Sequence, residues 1–200
     1  IFKMVENAYK VTLAGAFVPL FFGAFWKRAT TQGALAAIFG GLSSWLLVEI
    51  LIGEASLVPP QLIGLLVSMA AMAIGHCTRA LEMTLEYVRD RRAFGATLFD
   101  KQVVRQRLAM LDAKVRAARQ YLYHCGWLVT RGRDVVQDVS LLKALTGELV
   151  NEVTLGCQQL HGGMGYMQGL PIERLWRDAR VLAIGGGATE VMLDEAAKRY

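Results

Sequence analysis

The sequence predicts an all-α protein, a helical bundle preceded by about three hydrophobic helices long enough to cross a membrane. Three observations carry this. Apolar residues at Val104, Leu108, Leu111, Val115, Ala118, Leu122, Cys125 and Val129 recur at steps of three and four, as on one face of a long packed helix. No segment alternates apolar and polar side chains as a half-buried strand would. The first 75 residues contain three long runs without a charged side chain.

Taken in order, the uncharged runs are residues 11–26, 29–48 and 55–75. A bilayer-spanning helix needs about 20 apolar residues. The second and third runs reach that length, and Lys10 can snorkel at the end of the first. Lys27 and Arg28 fill the short loop between the first two runs, which places that loop inside by the distribution of basic residues around membrane spans, with Glu49 and Glu54 outside. Glycine and alanine recur through all three runs and suit close packing of helices in lipid. A buried hairpin of a soluble protein is the alternative reading. The expected organisation is a membrane part over residues 1–75 and a bundle over 76–200 on the cytoplasmic side.

After residue 75 the charge pattern changes. Residues 1–75 hold four basic and three acidic side chains, and the remainder holds the other 18 of 22 basic and 14 of 17 acidic ones. The net charge of +5 therefore divides as +1 and +4. The second excess is scattered along helices, which argues against nucleic acid as a partner. Arg89, Arg91 and Arg92 form a small cluster suited to a phosphate or to a solvated face.

Short helices are expected over 77–91, 171–182 and 189–199, with Pro171 in a first turn. Between them lie the long helix already described and an antiparallel neighbour marked by Leu142, Leu145, Leu149, Val153, Gly156 and Leu160, joined through the polar loop 131–138. Cys77, Cys125 and Cys157 are odd in number and form no Cys-x-x-Cys pair, so neither a disulfide framework nor a structural zinc site is expected. Each lies near a histidine, but residues adjacent on a helix point about 100° apart and ligate one ion poorly. No metal is expected.

Two glycine clusters, Gly162-Gly163-Met164-Gly165 and Gly185-Gly186-Gly187, follow no strand, which excludes a dinucleotide fingerprint of the strand-to-helix kind. They read as turns at helix ends. Glycine there allows left-handed backbone or the close approach of a partner, either the next helix or a cofactor.

Three segments in order carry a resemblance. They are Tyr87-Val88-Arg89-Asp90-Arg91-Arg92-Ala93-Phe94-Gly95 followed by Gln102, then Gln159-Leu160-His161-Gly162-Gly163-Met164-Gly165-Tyr166, then Arg177-Asp178-Ala179-Arg180 leading to Ile184-Gly185-Gly186-Gly187-Ala188-Thr189-Glu190-Val191. Together they resemble the C-terminal helical domain of the acyl-CoA dehydrogenase family. The resemblance implies FAD as cofactor and an acyl-CoA thioester as the parent family's substrate, with self-association through the bundle. It implies cofactor contacts at Arg91, Phe94, Gln102, Gln159, Gly162, Gly163, Thr189 and Glu190. Arg91 and Gln102 would hold the pyrophosphate and adenine side, often across a subunit boundary, Gln159 and Gly163 would line the adenine pocket, and Thr189 and Glu190 would touch the flavin near its other end. Ala188 stands where that family usually has threonine. His161 is expected to pack rather than react.

The same resemblance implies a missing base. Many members carry the catalytic glutamate where this chain has Gly186, and others carry it about six helical turns before the counterpart of Tyr87, which here falls near Leu65. No catalytic residue is therefore assigned, and no turnover is expected of the chain alone.

Upstream, Val18-Pro19-Leu20-Phe21-Phe22-Gly23-Ala24-Phe25-Trp26-Lys27-Arg28-Ala29-Thr30-Thr31-Gln32-Gly33-Ala34 resembles a late helix hairpin of the sodium:solute symporter family, and Leu57-Val58-Pro59-Pro60-Gln61-Leu62-Ile63-Gly64 resembles the start of that family's next span. Three spans cannot build the paired repeats of an alternating-access pathway. The sequence thus reads as a dehydrogenase fragment joined to symporter-like helices, with a transporter fragment bearing a helical passenger as the alternative.

Overall fold

The computed structural model describes residues 60–200, together with isolated helical positions at Ser43, Leu46 and Ile50. The expected spans over 11–26 and 29–48, and the symporter-like hairpin between them, lie outside the described residues.

Helix α1 (Pro60–Asp90) leads into a two-stranded antiparallel hairpin, β1 (Arg92–Ala93) and β2 (Ala96–Thr97). Then follow α2 (Gln102–Thr130), α3 (Val136–His161), a single turn α4 (Gly163–Tyr166), α5 (Pro171–Ala179), a 3-10 turn (Arg180–Ala183) and α6 (Thr189–Ala197). The hairpin is the departure from an all-α expectation. It is too short to show an alternating pattern, and its turn places Phe94 and Gly95 at φ +56° and +79°. Two consecutive positive φ values suit a tight hairpin turn, for which glycine is built and phenylalanine is not.

Helix α1 begins well before the expected residue 77. Ala70, Ala73, Ile74, Cys77 and Ala80 are all buried, so one face runs unbroken through the composition change at Gly75. Among the described residues α1 is the one helix long and apolar enough to cross a membrane. About half of that stretch is buried inside the protein, where Ile63, Leu66 and Ala70 pack against α2 and α3. The physical reason is that a continuous apolar surface meets either solvent equally well, and here α3 covers it.

The clusters of buried side chains order the bundle. At one end Ile63, Leu66 and Ala70 of α1 meet Cys125 and Val129 of α2 and Val136, Val139 and Leu142 of α3. The start of α1 therefore lies beside the end of α2 and the start of α3, so α2 runs antiparallel to the other two. In the middle, Leu111, Val115, Val150, Val153, Ile172 and Leu175 close the core. Burying an aliphatic side chain of this kind contributes about 1.5–3 kcal/mol. At the far end Val88, Val104 and Leu108 pack with Leu98, Phe99 and Leu160 beneath the hairpin.

Helix α3 is the central element and packs on α1, α2, α5 and α6. Its glycines permit this closeness. A Cβ at Gly147 would stand 3.0 Å from the Ala183 Cα, and one at Gly156 would stand 3.0 Å from the tip of Leu111. The expected helices at 171–182 and 189–199 are present as α5 with its 3-10 extension and as α6, Pro171 occupying the first turn of α5.

Candidate cofactor groove

At the hairpin end of the bundle, the last turns of α1 and α3 border a groove of about 660 Å³. Its walls include Tyr87 and Arg91 from α1 and the residue after it, Gln159 and His161 from α3, and the Gly162-Gly163 turn. Leu98, Leu160, Met164 and Met167 supply its apolar surface.

Local chemistry fixes each wall. Arg91 ends α1 with its amide donating to the Tyr87 carbonyl at 2.8 Å, while its own carbonyl accepts from the Leu98 amide at 2.9 Å. The Phe99 amide donates to the Val88 carbonyl at 2.9 Å, and Arg105 donates to the carbonyls of Phe99 and Asp100 at 3.0 and 2.7 Å. The Thr97 hydroxyl donates to the Asp100 carboxylate at 2.7 Å, and this bond, with the Thr97 amide, holds that carboxyl below its usual range. The hairpin is thus clamped to both long helices, and Arg91 is carried by a fixed backbone. Among the described residues its guanidinium makes no ion pair.

On the opposite wall His161 is held three ways. Its Nδ1 lies 2.9 Å from the Cys157 carbonyl, its ring stacks on Tyr87 with centroids 4.3 Å apart at 22°, and its carbonyl accepts from the Tyr87 hydroxyl at 3.3 Å. Burial lowers the imidazole pKa, opposed by the Cys157 carbonyl. The chain then turns through Gly162 at φ +59°. Beyond it the Gln158 amide donates to the Gly165 carbonyl at 3.1 Å and closes the α4 turn.

The two glycines differ in a telling way. Gly162 needs its positive φ, whereas Gly163 has none, and a Cβ at either position would meet no atom within 4 Å. Neither backbone conformation nor packing requires glycine at 163. Gly163 borders the groove, and without a side chain its backbone can be approached closely.

Of the eight residues expected to touch a cofactor, the structure brings Arg91, Gln159, Gly162 and Gly163 together in this groove. Phe94 stands at the hairpin tip, 94% exposed, its carbonyl accepting from Lys101 Nζ at 3.3 Å. Gln102 opens α2 and is exposed. Both share the groove's end of the bundle without lining it. Thr189 and Glu190 lie elsewhere, at the start of α6, where the Thr189 hydroxyl donates to Glu148 of α3 at 2.8 Å. Glu148 and Gln159 are eleven residues apart on α3, about 16 Å along its axis. The expected contacts therefore form two stations on one helix.

His161 packs as expected, but sequence reasoning did not find its partner or the residue that anchors the second station. Tyr87 and His161 stack across 74 positions of chain, which no local pattern encodes. Lys143 is 1% exposed and donates from Nζ to the Gly187 carbonyl, anchoring the second glycine cluster to α3. Its place one turn after buried Val139 and one turn before buried Gly147 was the available signal. Among the described residues no group of three or more His, Cys, Asp or Glu side chains could hold a metal. The three cysteines are buried, with their thiols pushed up to about 12 at Cys77 and Cys125 and about 11 at Cys157 by loss of solvent.

Residues 67–200 match the family model described as acyl-CoA dehydrogenase, C-terminal domain. That match starts upstream of the boundary expected at residues 75–76. Over 131 residues the chain is 38% identical to the mitochondrial long-chain specific acyl-CoA dehydrogenase of Rattus norvegicus, covering 66% of this chain and 30% of that protein. It resembles the structure of acyl-CoA dehydrogenase from Geobacillus kaustophilus at 30% identity and a TM-score of 0.68, covering 70% of this chain and 37% of that one. PigA, solved with FAD and proline, is similar at 26% identity and a TM-score of 0.67, again over 70% of this chain and 37% of that one. The chain spans about a third of the length of the curated relatives it matches.

Proposed function

Because the chain belongs to the acyl-CoA dehydrogenase C-terminal domain family, whose members are FAD-dependent, we propose that its helical bundle is the cofactor-side portion of an enzyme that dehydrogenates acyl-CoA thioesters. The observation that carries this is one groove lined both by Arg91, whose guanidinium makes no ion pair among the described residues, and by the Gly162-Gly163 turn.

The residues fit FAD. Arg91 offers the forked donor set that matches a diphosphate, fixed by the hairpin beneath it. Gly162 and Gly163 let the adenosine half lie against backbone, and Gln159 offers an amide at the rim. Thr189 and Glu190 form the second station, held by Glu148 and by Lys143 through the glycine loop. Two stations about 16 Å apart on one helix suit an elongated cofactor shared between copies of the chain. When bound, FAD supplies the hydride acceptor. Exposed apolar side chains at Leu145, Leu155, Val181 and Ile184 support self-association.

The chain supplies no base at either family position. Gly186 has no side chain, and Leu65 is apolar. We therefore assign it FAD binding without turnover. Residues 1–59, seven of them charged, we read as a membrane attachment. With the third apolar run committed to the bundle, two crossings would place the bundle on the face opposite Lys27 and Arg28, and three on the same face.

The test is titration of the purified full chain with FAD, followed by its visible spectrum and flavin fluorescence. Stoichiometric binding is expected, with Arg91→Met weakening it about tenfold or more, as loss of a charge-assisted contact would. Absence of bound flavin overturns the reading. Oxidation of an acyl-CoA by this chain with an artificial electron acceptor overturns the assignment of no turnover.

A further inference from the structure

We propose that His161 reads the amino edge of an adenine ring in the groove by accepting its exocyclic N–H at Nε2, making this side chain the determinant that selects an adenosine over an inosine diphosphate. The inference rests on the FAD reading of the groove.

A carbonyl oxygen only accepts, so the 2.9 Å contact from Nδ1 to the Cys157 carbonyl requires the ring proton on Nδ1. In the neutral ring Nε2 then carries a lone pair. Nε2 has no hydrogen-bond partner among the described residues and is not sealed away, the fully buried unpaired side-chain atom among them being Glu173 Oε2 on α5. His161 lines the groove, and of its two ring nitrogens Nε2 is the one left for a ligand. The Cys157 carbonyl fixes this orientation, since a half-turn of the ring would put Cδ2 in place of Nδ1, and Tyr87 packs against the ring and bonds the same residue's carbonyl.

The other polar group on this wall cannot make the distinction. Gln159 is exposed, and its amide presents either an acceptor or a donor by a half-turn about its last bond. The locked imidazole presents only an acceptor. Adenine offers an amino group at its six position, whereas hypoxanthine offers a carbonyl, whose lone pairs would oppose those of Nε2. A site built to bond one partner rejects an analogue that cannot return the bond. Arg91 in the same groove holds the diphosphate of either nucleotide, so the base alone differs.

The experiment is calorimetric titration of the full chain with ADP and with IDP. Wild type is expected to bind ADP about tenfold more tightly, equivalent to about 1.4 kcal/mol. In His161→Phe, which keeps a ring against Tyr87 but has no acceptor, the two nucleotides should bind within a factor of two. Equal binding by wild type, or an undiminished preference in the variant, overturns the role of His161. Failure of wild type to bind either nucleotide overturns the FAD reading of the groove and this inference with it, a different result from the first. Should the variant not fold, nitrogen NMR of wild type decides: a non-protonated Nε2 that shifts with ADP and not with IDP is expected, and a protonated Nε2 overturns the proposal.

Discussion

The tip of Met69 on α1 occupies the space into which a side chain at Gly186 would project. This places the second glycine cluster beside the face of α1 that carries Leu65 one turn earlier, the other position where the resemblance implies a carboxylate. Both therefore open on one region of the fold, and neither holds a base here.

Gly186→Ala should destabilise the protein by about 1–2 kcal/mol, because φ is +67° and a Cβ at that angle is strained whatever the space. Met69 meets the new atom with the end of a flexible side chain, so adding Met69→Ala should not restore stability. Urea midpoints of the single and double variants distinguish the two costs. Full recovery in the double variant would show that packing, and not the backbone angle, was decisive.

Glycines 147 and 156 on α3 should respond differently to alanine. At Gly147 the new methyl meets the backbone of Ala183 and Leu182 at 3.0 and 3.2 Å, which cannot yield without moving the 3-10 turn. A loss of about 1–3 kcal/mol is expected. At Gly156 it meets only the end of Leu111, and removing a mid-helix glycine gains about 1 kcal/mol of helix propensity. That variant should lie near wild type in thermal unfolding.

Lys143 couples stability to alkaline pH. Burial lowers its pKa, opposed by Glu148, so over the interval between that lowered value and the ordinary 10.5 the unfolded chain binds the proton more readily. Stability from this group must rise with pH across that interval. The difference in urea midpoint between wild type and Lys143→Met should therefore move in favour of wild type from pH 8 to pH 10. A constant difference would mean that the folded and unfolded pKa values coincide.

On the acid side His161 acts with its own window. Its folded pKa lies below the ordinary 6.5, so the unfolded state takes the proton first as pH falls, and stability drops from 6.5 down to the folded value. Replacement by glutamine should flatten the stability profile between pH 7 and 5. Chemical denaturation at half-unit steps gives the slope directly.

Much of the bundle was legible where a helix buries one face, as α2 does, whereas α3 is buried on several sides and Leu145 of its expected stripe is exposed. Leu108, Leu111, Val115 and Ala118 appear buried in the structure as their spacing requires. The start of α1 was not legible in this way. Residues 60–75 are apolar on most sides, and a surface that satisfies lipid also satisfies a protein core, so sequence could not choose between them. The hairpin was missed for a related reason: two-residue strands have no period, and Phe94 is a poor turn residue by its own preference.

The sequence by itself determined the helical class, the family motifs and the absence of a carboxylate at Gly186 and Leu65, since these depend on residue identity and short spacing. Tertiary structure alone decided which motif residues act together. Arg91 and Gln159 are 68 positions apart, and they line one groove because α1 and α3 run side by side. The same packing separates Thr189 and Glu190 to a second station and sets the Tyr87 ring against His161. Such juxtapositions are set by the burial of whole helix faces, to which each site residue contributes little.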